Sequence, residues 1–327
     1  MEIKKRRLGR TNLMITEIGL GAYQFTGEFG VQPEEADKIL DYAIESGINF
    51  IDTAEMYGFG ESEELVGRAL ARHPESSVMI STKVGYIDRT VSRAKGNEGL
   101  RNPVELKRMI KHSMWLLQRD YIDILMVHEP NMEEWWGFDY NTGDSVIMDV
   151  LEDLKKEGVI GAIGLGGWLC DINAKLINTG RFDVVLQAGG ISLLSAPIFD
   201  EVIPASKKHD VGVIVGGVLG QGRPELIVVD REKADKMQKS QDENERIYGI
   251  KLNALYDIAE ELDMSMPELA IRFVLAFEDI HVNIPGAREV NHLKANLEAI
   301  RKGPLPDEYV SRILDLQNTY KSKTFAY

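Results

Sequence analysis

A single cysteine, Cys170, among 327 residues excludes an intramolecular disulfide framework and fits a reducing cytoplasmic setting. Its expected role is inert filler. Positive charge is also scarce: 38 Lys and Arg stand against 52 Asp and Glu, for a formal charge of −14. A phosphate backbone requires a concentrated basic face, so nucleic-acid binding is not expected as the main activity. The one basic run, Lys4 to Arg7, reads as a solvated chain end. It is not followed by the apolar stretch of a signal peptide, and no membrane-spanning stretch follows elsewhere. No metal is expected. The glycine-rich GxGxxG turn of dinucleotide-binding open sheets is missing, because Gly19, Gly21 and Gly27 do not have that spacing.

What is present is a soluble globular composition, 44% hydrophobic and 28% charged, sufficient for a sizeable core. Short β-branched or apolar runs alternate with longer segments of helical periodicity. The runs predict strands at Glu17–Leu20, Asn49–Asp52, Val78–Lys83, Ile122–Val127, Ile160–Gly164, Val184–Gln187, Val211–Val215 and His281–Ile284. Helices are expected at Pro33–Ser46, Ser62–Arg72, Pro103–Leu117, Ser145–Glu157 and Pro197–His209, several opening on proline as a first helical turn allows. Eight such repeats predict an α/β fold, a (β/α)8 TIM barrel formed by residues 1–327 as one domain. An open doubly wound sheet is the alternative, weakened by the missing glycine turn. Arg7 to Ile15 predicts an N-terminal β-hairpin over the barrel bottom. Two inserts extend loops at the C-terminal face of the barrel. One follows His128 and carries Trp135, Trp136, Phe138 and Tyr140; the other runs from Gly220 to about Gly249, as a substrate-shaping loop or a plain surface insertion.

Four polar residues fall at or just beyond neighbouring strand ends: Asp52 and Tyr57 in Asp52-Thr53-Ala54-Glu55-Met56-Tyr57-Gly58, Lys83 closing the third strand, and His128 following the fourth. Each alone has an ordinary explanation: a turn cap, a packed ring, a solvated lysine, a satisfied core histidine. Placed at equivalent positions of consecutive barrel strands, they converge on one point at the mouth.

The segments DTAEMYG, STK and MVH resemble, in this order, the tetrad motifs of the aldo-keto reductase family. The resemblance extends from Gly19-Leu20-Gly21 through Val218-Leu219-Gly220-Gln221-Gly222 to Ile284-Pro285-Gly286-Ala287-Arg288. It implies an NAD(P)(H)-dependent oxidoreductase interconverting an aldehyde, ketone or sugar carbonyl with its alcohol. Tyr57 would donate the proton, and Lys83 would lower its pKa from the usual value of about 10. Asp52 would hold the lysine, and His128 would orient the carbonyl oxygen. For the cofactor the resemblance implies Gly21, Gly166, Gly167, Gln187, Gly216, Leu219, Gly220, Gly222, Gly286, Ala287, Arg288, His292 and Asn296, with Gln187 on the nicotinamide carboxamide. Arg288 suits a 2′-phosphate and favours NADP(H) over NAD(H), although Glu289 beside it works against this.

The sequence departs from the family at two places. Gly166-Gly167 stand where many members carry Ser-Asn after the fifth strand, and Val215-Gly216-Gly217 where many place a ring to stack on the nicotinamide. Tyr23, Trp135, Trp136 and Trp168 are the candidate substrate walls, suited to a sugar face or an aryl aldehyde. Two other functions compete: a cofactor-binding sensor akin to the family's channel-associated β-subunits, and a Schiff-base lyase using Lys83. The same tetrad serves carbonyl reduction and alcohol oxidation, and no oligomer is predicted.

Overall fold

The computed structural model describes residues 2–27, 30–85, 96–220 and 229–320. Eight parallel strands lie side by side in chain order: β3 (Leu20–Gly21), β4 (Phe50–Asp52), β5 (Met79–Val84), β6 (Ile122–His128), β7 (Ile160–Gly167), β8 (Val184–Ala188), β9 (Gly212–Gly216) and β10 (Val282–Asn283). Parallel bridges Ile18–Asn283 and Gly21–Gly286 join the first strand to the last and curl the sheet round on itself. Gly21 makes this approach feasible, because a Cβ there would stand 2.9 Å from the Ile284 carbonyl oxygen.

The helices follow from local sequence. In Pro33–Glu45 the buried residues are Ala36, Ile39, Leu40 and Ala43, one stripe at helical spacing that packs on the strands. Asn102 caps Pro103–Leu117 by accepting from the backbone N–H groups of Val104 and Glu105, and Ser145 caps Val146–Lys156 through Met148. Before the barrel, β1 (Lys5–Arg7) and β2 (Met14–Thr16) pair antiparallel as the expected hairpin. Its Leu8 and Ile15 join Phe50, Ile124, Met126, Val184, Ile214 and Val282 in the barrel interior. Burial of each such side chain contributes about 1.5–3 kcal/mol, so the hairpin is a structural plug.

Three local expectations are corrected. The first strand forms at Leu20–Gly21, not Glu17–Leu20, because only Ile18 of the earlier residues bridges β10. The fifth barrel strand runs on to Gly167, so Gly166 and Gly167 lie inside it, paired with Leu186 and Gln187. The helix expected over Pro197–His209 is split into a short turn at Pro197–Phe199 and a helix at Val202–His209. Pro204 explains the break: it has no N–H, and its ring would clash with the carbonyl of residue 200 in a continuous helix.

The inserts differ in kind. After His128 the chain makes a short helix, Glu133–Trp136, and an Asp139–Asp144 bridge. The second insert is helical from Arg231 to Met237 and again from Glu243, with the helices packed so closely that a Cβ on Gly249 would meet the Gln238 nitrogen. Residues 221–228, including the expected cofactor residue Gly222, lie outside the described residues.

Candidate active site

Strand geometry brings the four sequence-derived groups together. Asp52 ends β4, Lys83 lies near the end of β5, His128 ends β6, and Tyr57 sits in the turn leading to helix Glu61–Arg72. The Lys83 ammonium has three protons and three acceptors: Asp52 Oδ2 at 2.7 Å, the Thr53 carbonyl at 2.8 Å and the Tyr57 hydroxyl at 3.0 Å. Asp52 Oδ1 accepts from Ser81 at 2.6 Å, fixing the carboxylate from its other side. The Tyr57 ring stands edge-on to Tyr23, with centroids 4.9 Å apart, and edge-on to His128 at 6.0 Å.

Burial governs the protonation of this cluster. It would lower the Lys83 ammonium, but Asp52 and then Tyr57 outweigh it and leave lysine above its ordinary value. Such a lysine is a poor amine nucleophile, which weighs against a Schiff base. Burial also raises the Tyr57 phenol, with Lys83 pulling against it. The expected lowering therefore does not win; the phenol keeps its proton. His128 is pushed well below its usual range, first by burial and then by Lys83, so its imidazole is neutral near pH 7. The cluster thus holds a protonated phenol, an ammonium touching that phenol, and a neutral imidazole nearby.

The remaining candidates are dispersed around the mouth and wall. Gln187 is fully buried; its Nε2 donates to the carbonyls of Trp168 (2.7 Å) and Ala188 (3.2 Å), and its Oε1 accepts from Asn173 at 2.7 Å. Both amide protons are committed, whereas Oε1 accepts one bond and keeps a second lone pair. Asn173, unmarked by any sequence motif, takes one of these positions from the helix Cys170–Asn178. Gly216 ends β9, and Leu219 and Gly220 form the turn beyond it, with Leu219 packed on the core. Trp136 is corrected from substrate wall to core: it is 1% exposed and its indole N–H serves the carbonyls of His128 and Glu129. Trp135 is half-buried on the same cluster. Trp168 packs over the barrel interior and donates to Glu129 Oε1 at 2.5 Å.

At the other end, Gly286, Ala287 and Arg288 lead into helix Val290–Arg301, with Arg288 exposed and Ala287 buried. Glu289 pairs with His292 at 3.1 Å, and Glu35 accepts the Val290 backbone N–H at 3.3 Å, so a carboxylate already meets the helix start. Asn296 is buried there, and its Nδ2 has no partner among the described residues.

The Aldo/keto reductase family model matches residues 17–318, spanning all eight barrel strands and every site residue described above but not the N-terminal hairpin. The chain belongs to the aldo/keto reductase family. This aldo/keto reductase is 27% identical over 310 residues to D-threo-aldose 1-dehydrogenase of a Pseudomonas species, covering 88% of this chain and 89% of the relative. It is 26% identical over 313 residues to the NADH-specific methylglyoxal reductase of Escherichia coli, covering 91% and 94%. Its fold matches that of a holo-form aldo-keto reductase from Bacillus halodurans with a TM-score of 0.73, at 24% identity over 96% of both chains. The family and its oxidoreductase class are therefore established for this chain, along with the barrel.

Proposed function

We propose that this aldo/keto reductase interconverts an aldehyde, ketone or sugar carbonyl with its alcohol, using a nicotinamide dinucleotide and Tyr57 as proton donor. The observation that carries the reading is the single Lys83 nitrogen held between Asp52 and the Tyr57 hydroxyl. A bound reduced nicotinamide supplies the hydride. As negative charge builds on the substrate oxygen, Tyr57 gives up its proton, and the adjacent ammonium stabilises the phenolate left behind. Neutral His128 orients the oxygen by hydrogen bonding without competing as the acid. In the reverse direction Tyr57 accepts the alcohol proton and Lys83 keeps the same place.

The chain's residues fit the dinucleotide unevenly. At the adenosine end Arg288 offers a cation and the unpartnered Asn296 Nδ2 a buried donor, which supports NADP(H). The Glu35 and Glu289 carboxylates oppose a 2′-phosphate there. At the nicotinamide end Gln187 has both amide protons in use and one lone pair of Oε1 left to accept from the carboxamide.

The test is a fluorescence titration with NADPH and NADH, followed by absorbance assays with aldehydes, ketones and sugars in wild type and Tyr57→Phe. Binding with turnover that drops by roughly a hundredfold to ten-thousandfold in the variant supports the reductase. Near-wild-type turnover of Tyr57→Phe removes the assigned proton donor, and binding without turnover favours the sensor.

A further inference from the structure

Glu129 follows His128 directly, and nothing in the proposed proton transfer uses it. Its backbone is left-handed at φ 53°, a conformation that a non-glycine residue holds only when its surroundings impose it. Those surroundings are specific. The Glu129 N–H donates to the Gly166 carbonyl at 2.8 Å, and a Cβ on Gly167 would come within 2.9 Å of Pro130, so the segment is clamped against β7. The clamp turns the carboxylate toward Trp168, whose indole N–H fixes Oε1 at 2.5 Å. Oε2 accepts no hydrogen bond from the described residues, and the side chain is only half-buried. Burial raises this carboxyl, while Trp168 and then the Lys83 ammonium pull it down, so it lies within the field of the catalytic cluster.

We propose that Glu129 is a specificity residue of the mouth, selecting carbonyl compounds that bear a hydroxyl group one or two carbons from the reacting carbonyl. Glu129 follows His128 directly and its carboxylate feels the Lys83 ammonium, so a group bound by Glu129 lies beside the carbonyl oriented by His128. One carboxylate oxygen is held by the indole and the other accepts the hydroxyl, a charge-assisted bond strengthened by partial exclusion of water. A substrate without that hydroxyl leaves the oxygen poorly solvated, and one carrying a carboxylate there is repelled. This substrate class rests on the carbonyl-reductase reading above.

The test compares glyceraldehyde with propanal, and butanal with succinic semialdehyde, as kcat/KM ratios in wild type, Glu129→Ala and Glu129→Gln. Effects common to both members of a pair cancel in the ratio. Wild type is expected to favour glyceraldehyde over propanal by at least about tenfold, in line with a hydrogen bond to a charged group. That ratio should fall toward one in Glu129→Ala and be partly restored in Glu129→Gln. Should Glu129→Ala fail to fold, the near-isosteric Glu129→Gln decides, since wild type must turn over butanal at least about tenfold better than succinic semialdehyde and removal of the charge must shrink that ratio. Propanal turnover with no glyceraldehyde preference, or a preference unchanged in Glu129→Ala, overturns the assignment of Glu129 while leaving the reductase intact. Absence of turnover with every aldehyde and either nucleotide overturns the reductase reading itself, and the substrate class with it.

Discussion

Gly166 lies against the stem of Lys83: a Cβ at position 166 would stand 3.2 Å from Lys83 Cδ and 3.4 Å from Cε. The glycine in β7 therefore bears on the catalytic cluster through steric contact, besides withholding a side chain from any cofactor. Gly166→Ala is expected to displace the ammonium by a few tenths of an ångström from Asp52 and Tyr57. The consequence is a loss of kcat of about tenfold, given that about 1 Å of misplacement can cost about a hundredfold. Stopped-flow kinetics alongside a thermal melt will separate this from unfolding; unchanged kcat means Lys83 yields without cost.

Glu63 is fully buried, with Oε1 accepting from Thr82 at 2.5 Å, and burial pushes its carboxyl up to about 7 against the pull of Thr82, Ser113 and Lys83. The fold thus prefers the neutral acid. Its stabilising contribution is complete below the ordinary carboxyl range, declines as pH rises toward 7, and is lost above it. Glu63→Gln should gain stability relative to wild type across that window, by an amount on the order of 3 kcal/mol. Urea melts of both proteins at pH 5 and pH 8 provide the check, and a constant difference between them would sink the prediction.

Cys170 is half-buried at the start of helix Cys170–Asn178, and burial followed by Glu201, Asp171 and Asp200 pushes its thiol up to about 12. Because the thiolate is the reactive species, alkylation by iodoacetamide at pH 7.5 should be slower than that of free cysteine by at least about a hundredfold. Mass spectrometry of a timed reaction measures it. Labelling at the rate of the free amino acid would show that the acidic surroundings do not act as stated.

Arg288 is the exposed cation beside the helix start that Glu35 and Glu289 make acidic. Arg288→Ala is expected to weaken NADPH binding while changing NADH little, lowering the ratio of affinities. Parallel fluorescence titrations report that ratio; an equal loss for both nucleotides would show that Arg288 does not meet a 2′-phosphate.

The sequence alone determined the eight repeats and the placement of Asp52, Lys83 and His128 at strand ends. These depend on features local in the chain: periodicity of two or 3.6 residues, prolines in first turns, and runs of β-branched residues. Glu129 carries no mark in the sequence, because its contact with Trp168 crosses 39 residues and has no local signature. The same holds for Trp136, an aromatic in an insert that proved to be core, and for Gln187, whose amide bonds Asn173 and two carbonyls. Only the tertiary structure decided the direction of the Tyr57 shift, since desolvation and the Lys83 charge oppose each other and their balance depends on how completely the ring is enclosed. Residue type and spacing set which groups can meet at the barrel mouth; protonation, orientation and access depend on neighbours that the chain brings in from distant segments.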